Sequence, residues 1–389
     1  MQVKRLVVLI SFSGQGGVER MVMNLVRQFA ASPHISVDLL LIRAQGPYFT
    51  NIPANVNIIQ LNAKHTLTSI PELARYLKKN NPEAMLVAKD RAGRAALIAK
   101  MLSAVNTRIV IRLGTNLSTA LAHRSAFNRW LRTAPMRHLY PLAHKVIAVS
   151  EGVRQDTLAL TGLMPEKVQV VRNPVITDAL VNLASQDCPH TWLEDNEIPV
   201  VLGMGRLSKQ KDFPTLIYAF AQARKTRAMR LIILGEGGDR PSLERLIHEL
   251  ELEADILMPG FDANPYRWLS RANIFVLSSL WEGSPNALTE ALALAVPSVS
   301  TRCPSGPNET LAEGRYGSLI EMGNVEEMAE AIIQTLKSPL PADDLKEAVA
   351  EYKDNISAKH YLNLLEVSDD NPLKRSLSSN ESMDSGSIN

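Results

Sequence analysis

The 389-residue chain has no run of 18 consecutive apolar residues, which excludes a conventional membrane-spanning helix. Its early apolar run, Leu6–Ile10 after Lys4 and Arg5, is too short for a signal peptide and reads as a first strand. Cysteine is scarce. Cys188 and Cys303 stand far apart and match no metal-ligand or redox spacing, so a reducing cytoplasm is the simplest fit. There is no internal repeat, no G-x-G-x-x-G fingerprint and no Asp-x-Asp sequence. Acidic residues are missing from positions 91–150, where ten basic ones lie. The first 180 residues carry a formal charge of +14 and the rest −12, so the first half is expected to face something anionic. No nucleic-acid recognition motif accompanies that charge, and nucleic acid is not an expected partner.

What is present is ordinary globular material, with 46% apolar and 21% charged residues. A single core rarely grows past about 250–300 residues, which points to two domains of roughly 180 residues each. Short apolar runs alternate with helical patterns. The strand candidates are Arg5–Ser11, Val37–Ile42, Met85–Ala88, Arg108–Arg112, Val146–Ser150 and Val168–Val171, then Val200–Gly203, Leu231–Leu234, Ile256–Met258, Ile274–Ser278 and Ser298–Ser300. Such alternation predicts an α/β fold with doubly wound parallel sheets. The reading gives a first Rossmann-like domain over 1–175, a linker over 176–197 and a second such domain over 198–367, with a cleft between them. The last helix is allowed to return to the first domain. Residues 368–389 read as a disordered polar tail.

Polar loops follow several strands, and in open α/β sheets that carboxyl edge is where ligands sit. Gly14, Gly16 and Gly17 form a glycine-rich turn before a helix, where backbone N–H groups can approach an anion or sugar. Arg206 and Lys211 leave another strand end, and two cations five apart can clamp a diphosphate or simply solvate a basic loop. Gly235, Glu236 and Gly237 follow the next strand, as ligand contacts or as an acidic first turn. Glu282 precedes a turn of Gly283, Ser284 and Pro285, and a helix opens at Asn286 with Glu290 inside it. Carboxylates of this kind accept vicinal hydroxyls, and they also cap helices. One more Pro/Gly loop, Thr301–Leu311, opens a helix at Asn308 and Glu309.

Taken in order, these motifs resemble those of the family-4 retaining glycosyltransferases: the Gly14–Glu19 loop, Val149–Val153, Asn173-Pro174, Gly205-Arg206-Leu207 with Lys211, Gly235–Gly237, and Glu282 with Glu290 seven residues between. The likeness spans roughly residues 3–365. It implies the GT-B architecture, two Rossmann-like domains facing a cleft, and a nucleotide-sugar donor, by family precedent a UDP-sugar. It implies that Arg206 and Lys211 hold the donor diphosphate and that Glu290 takes the ribose hydroxyls. Glu282 would position the transferred sugar, with Gly283, Ser284, Pro285 and Asn286 beside it, and Gly235 and Glu236 would contact the nucleotide. Gly16 and Gly17 would close on the phosphates. Transfer would retain configuration, with cations and helix N-termini rather than a metal stabilising the leaving group. Family members commonly carry a histidine after the strand that here ends at Arg112. This chain lacks it, which leaves Arg112 and Asn116 as candidates for sugar or acceptor contact.

The stretch 121–145 interleaves Arg124, Arg129, Arg132, Arg137 and Lys145 with Phe127, Trp130, Leu131 and Tyr140. That composition suits an anionic membrane surface, or a solvated helix with Trp130 in the core. The resulting expectation is a hexosyl- or N-acetylhexosaminyltransferase at the inner face of the cytoplasmic membrane, acting on a lipid-linked glycan in cell-surface polysaccharide synthesis. A nucleotide-sugar epimerase or hydrolase, and a non-catalytic two-domain binding protein, are the alternatives.

Overall fold

A computed structural model describes residues 3–13, 17–45, 52–63, 65–194 and 197–368. The Gly16 of the expected phosphate loop and the tail after Ser368 lie outside them. Thirteen strands are described: β1 (Lys4–Ser13), β2 (Ile35–Gln45), β3 (Val56–Gln60), β4 (Ala84–Val87), β5 (Arg108–Leu113), β6 (Lys145–Ala148), β7 (Val168–Val170), β8 (Val200–Met204), β9 (Arg230–Leu234), β10 (Ile256–Gly260), β11 (Ile274–Leu277), β12 (Ser298–Thr301) and β13 (Ser318–Ile320). They form a seven-stranded sheet of order β3-β2-β1-β4-β5-β6-β7 and a six-stranded sheet of order β10-β9-β8-β11-β12-β13. The pairings β1–β2, β1–β4, β8–β9 and β8–β11 are all parallel. In each sheet the chain winds outward from one strand, then returns to its other side. The reversal falls between β1 and β4 in the first sheet and between β8 and β11 in the second.

Both faces of each sheet are covered, which is why its strands read as unbroken apolar runs. Leu6 through Ile10 are all fully buried. In the second sheet the alternation is explicit. Val201, Leu231, Ile233, Ile274 and Val276 pack with Phe213, Leu216 and Phe220 on one face. Val200, Leu202, Ile232, Leu234 and Phe275 pack with Leu288, Leu292 and Trp268 on the other. Each fully buried Leu, Ile or Phe contributes about 1.5–3 kcal/mol.

Among the described residues the chain forms two compact units. One takes in the residues up to Arg112, His138–Ile147 and those from Asn355 on. The other takes in Leu113–Arg137 and Ala148–Asp354. In the first unit the helix Asp354–Leu364 buries Tyr361 completely. The segment after it is stitched down by Lys4 Nζ, which donates to the Val367 carbonyl at 3.1 Å, and by Arg108 Nε, which donates to the Leu365 carbonyl at 3.1 Å.

Two features differ from expectation. β3 and β13 were not anticipated; both are edge strands, and the exposed pattern of Val56–Gln60 carries no buried-strand signal. The span expected as a linker contains a helix, Ala179–Ala184, packed through Leu180 against Tyr266.

Tyr361→Ala removes one of the largest fully buried side chains and should cost about 3–5 kcal/mol in urea denaturation. A loss below 1 kcal/mol would mean that the last helix is not part of the first unit's core.

Candidate functional site

In the six-stranded sheet the loops after β8 and β11 leave neighbouring strands at the reversal point, where open α/β sheets bind ligands. The first loop carries Arg206 and Lys211, the second Glu282. Lys211 Nζ donates to Glu282 Oε1 at 2.6 Å, and Ser279 Oγ donates to the same oxygen at 2.7 Å. The pair is largely buried, with side chains 16% and 9% exposed, so solvent screens it little. Three further hydrogen bonds lock the two loops together. Ser278 Oγ donates to the Lys211 carbonyl at 2.6 Å, Gln210 Nε2 donates to the Trp281 carbonyl at 2.8 Å, and the Leu280 N–H donates to the Gln210 carbonyl at 2.8 Å. Arg206 is exposed, and its guanidinium has no partner among the described residues. The site thus holds one committed cation beside a carboxylate and one uncommitted cation five residues before it.

The loop after β9 runs alongside. Leu207 N–H donates to the Glu236 carbonyl at 3.0 Å, and Gly205 N–H donates to the Leu234 carbonyl at 3.0 Å. Gly235 is required here: a Cβ would fall 1.9 Å from the Gly205 carbonyl oxygen. Glu236 is taken up by Arg240, which grips both its oxygens at 3.0 and 2.7 Å and holds its carboxyl below the usual range. Its carboxylate therefore serves its own loop, leaving backbone groups for a ligand.

Beyond Glu282, Asn286 opens the helix Asn286–Ala293, and its Oδ1 accepts from Asn173 Nδ2 at 2.8 Å. Glu290 lies in that helix's second turn and is only 1% exposed. Gly283 admits the Gly114 carbonyl, which a Cβ would meet at 2.1 Å. Cys303, in the loop after β12, sits close enough to Glu282 to feel its charge; burial first, and that carboxylate second, push its thiol up to about 12.

The two candidates for the missing histidine are placed differently. Arg112 is buried beside Tyr361 in the first unit, and that burial pulls its pKa down. It is 3% exposed, as buried as Glu282 and Glu290, and its contact with sugar or acceptor stays an expectation of the sequence reading. Asn116 is engaged at both ends. Its Oδ1 accepts from the Thr119 N–H at 3.1 Å, capping the helix Leu117–Ala120, and its Nδ2 donates to Ser305 Oγ at 3.0 Å. Gly17 opens the helix Gly17–Ala30 and is exposed.

Two family models match the chain: "Glycosyltransferase Family 4" over residues 15–179 and "Glycosyl transferases group 1" over 189–353. A Campylobacter jejuni protein named N-acetylgalactosamine-N,N'-diacetylbacillosaminyl-diphospho-undecaprenol 4-alpha-N-acetylgalactosaminyltransferase is 30% identical over 355 residues, 89% of this chain and 92% of that protein. The chain belongs to the family-4 glycosyltransferases. Its fold is the two-Rossmann GT-B architecture. It matches the lipopolysaccharide outer core galactosyltransferase WaaB with a TM-score of 0.69 and 20% identity over 93% of this chain and 99% of that one. It matches Anabaena HepE in complex with UDP-glucose with a TM-score of 0.70 and 19% identity over 96% and 99%.

Elsewhere in this family-4 glycosyltransferase, the helix Ala126–Leu139 buries Met136 but turns three large apolar side chains outward. Phe127, Trp130 and Leu131 are 68%, 61% and 57% exposed, and the two rings stack at 6.2 Å. Trp130 is therefore not a core residue. Among the described residues, no helix is long and apolar enough to cross a membrane, and no group of three or more His, Cys, Asp or Glu is placed to hold a metal ion. Sequence reasoning missed Lys89, which leaves β4 at the first sheet's reversal point and pairs with Glu19 at 3.0 Å. A lone lysine after a strand gave no signal, because its partner is 70 residues away.

Lys211→Met should destabilise the protein by up to about 3–5 kcal/mol by stranding Glu282, while the double variant Lys211→Met/Glu282→Leu recovers most of that loss in urea denaturation. Additive losses in the double variant would show that the two side chains are not coupled.

Proposed function

We propose that this chain moves a hexose or N-acetylhexosamine from a UDP-sugar to a lipid-diphosphate-linked glycan, with retention of configuration, in the synthesis of a cell-surface polysaccharide or lipopolysaccharide. The observation that carries the reading is the Lys211–Glu282 pair with uncommitted Arg206 at the reversal point of a parallel sheet. Donor cleavage leaves a nucleoside diphosphate whose charge grows in the transition state. Arg206 and Lys211 supply fixed positive charge for it, and the N–H groups entering the helix at Asn286 add aligned dipoles. Shifting Lys211 toward phosphate would free Glu282 to accept hydroxyls of the transferred sugar, so the ion pair keeps both groups in place before the donor arrives. Glu290 would meet the ribose hydroxyls from inside the helix. These fixed charges can act without a metal ion. The name of the Campylobacter relative supports a polyprenyl-diphosphate acceptor, and the UDP-glucose complex of HepE supports a UDP donor.

The same reading places the protein on the inner face of the cytoplasmic membrane through residues 121–145. Exposed Phe127, Trp130 and Leu131 would enter the interface while Arg124, Arg129 and Arg132 meet anionic head groups, at about 1 kcal/mol per cation.

Calorimetry with UDP, GDP and ADP in the presence of EDTA should show UDP binding by the wild type and at least tenfold weaker binding by Glu290→Ala, since a lost carboxylate–hydroxyl pair is worth about 1.5–3 kcal/mol. No nucleotide binding by the folded protein would overturn the donor site, and turnover of a UDP-sugar without acceptor would favour a hydrolase instead. In a second experiment, the wild type should sediment with vesicles containing anionic lipid, and the triple variant Arg124→Glu/Arg129→Glu/Arg132→Glu should stay in the supernatant. Equal sedimentation would remove the membrane assignment.

A further inference from the structure

The first turn of the helix Glu151–Thr161 has backbone N–H groups that the helix itself cannot satisfy. Ser150 takes one, its Oγ accepting from the Val153 N–H at 3.3 Å. The two before it go to a distant residue. Glu309 Oε2 accepts from the Glu151 N–H at 2.8 Å, and Oε1 accepts from the Gly152 N–H at 2.9 Å. Arg172 Nη1 donates a third, charge-assisted bond to Oε2 at 2.6 Å. One carboxylate therefore gathers donors from two separate elements.

Just before Glu309 the chain makes a turn in which two successive residues have positive φ, Ser305 at 69° and Gly306 at 90°. A non-glycine residue in that region is strained, and such strain persists only where the surroundings over-determine it. Here they do. Asn116 Nδ2 donates to Ser305 Oγ, and Gly152 is bare because a Cβ would lie 2.5 Å from that same oxygen. On the other side, a Cβ on Gly306 would lie 2.6 Å from Pro285 Cδ and 3.0 Å from the Gly283 carbonyl oxygen. The turn is a wedge between a helix N-terminus and the stretch that follows Glu282.

We propose that Glu309 is a positioning residue for transfer: by holding the Glu151 and Gly152 N–H groups and Arg172, it fixes the strained Ser305–Gly306 turn and, through it, the Gly283–Asn286 stretch. The consequence for donor binding rests on the reading given under Proposed function; the mechanical link does not. Glu309 touches no substrate. Its effect is on where the Gly283–Asn286 backbone stands when donor phosphates arrive.

Glu309→Gln presents an amide nitrogen to donors and breaks the grip, and Arg172→Met is the milder second variant if the first does not fold. Two readouts on the full chain test the role. The first is iodoacetamide labelling of Cys303, followed by peptide mass spectrometry; this buried thiol lies in the same loop and should label about tenfold faster in the variant than in the wild type. The second is UDP affinity by calorimetry, which should fall about tenfold in variants that remain folded by circular dichroism. Faster labelling with weaker UDP binding supports the proposal. Unchanged labelling overturns it, and so does faster labelling with unchanged UDP affinity, which would mark Glu309 as structural only. Absence of UDP binding in the wild type would instead strike the donor reading, and is told apart because it needs no variant.

Discussion

Parallel pairing is the constraint on which the rest depends. In a parallel sheet every strand ends on the same edge, so residues far apart in sequence are delivered to one rim without a dedicated interaction. The reversal of winding between β8 and β11 then opens a gap in the helical cover at that rim. Lys211 and Glu282, 71 positions apart, meet there at 2.6 Å. The ion pair is a consequence of the topology, and its near-burial makes it selective about what can displace it. An anion able to outbid a carboxylate for lysine must bring comparable charge, as a diphosphate does.

The same geometry recurs in the first sheet. Its reversal lies between β1 and β4, and there Lys89 meets Glu19 while also donating to the Ser11 carbonyl at 3.0 Å. Each Rossmann-like sheet thus places a lysine–glutamate pair at its switch point. The two pairs differ in access. Lys89 keeps 35% of its side-chain surface exposed, against 16% for Lys211. The second pair is the more enclosed of the two, and Arg206 leaves the same strand end as its lysine.

Much of this was readable in advance, for reasons that can be named. Strands such as Leu6–Ile10 and Leu231–Leu234 are covered on both faces and therefore carry a strong apolar signal. β3 and β13 are edges, half-covered or short, and carry little. Glycines after strand ends pointed to Gly235 and Gly283 because close backbone approach excludes any side chain. Arg112 ends a strand, where ligand groups also stand, and its burial could not be read locally. What buries it is Tyr361, near the opposite end of the chain. Glu309 read locally only as a helix-opening residue, since its partners lie 137 to 158 residues away and only the folded chain brings them together.

The helix Asp354–Leu364 has a consequence for how the protein comes into being. The first unit begins with the first strand made, yet Tyr361 and the carbonyls that receive Lys4 and Arg108 are supplied by almost the last described residues. On the ribosome, β1 to β5 emerge long before the helix that seals them. The other unit, Leu113–Arg137 with Ala148–Asp354, can complete its own core while the first still waits with an open seat. Synthesis order and folding order are therefore partly inverted: of the two units, the one begun earlier is finished later, and a nascent chain stalled before residue 361 would leave open the apolar surface that Tyr361 covers.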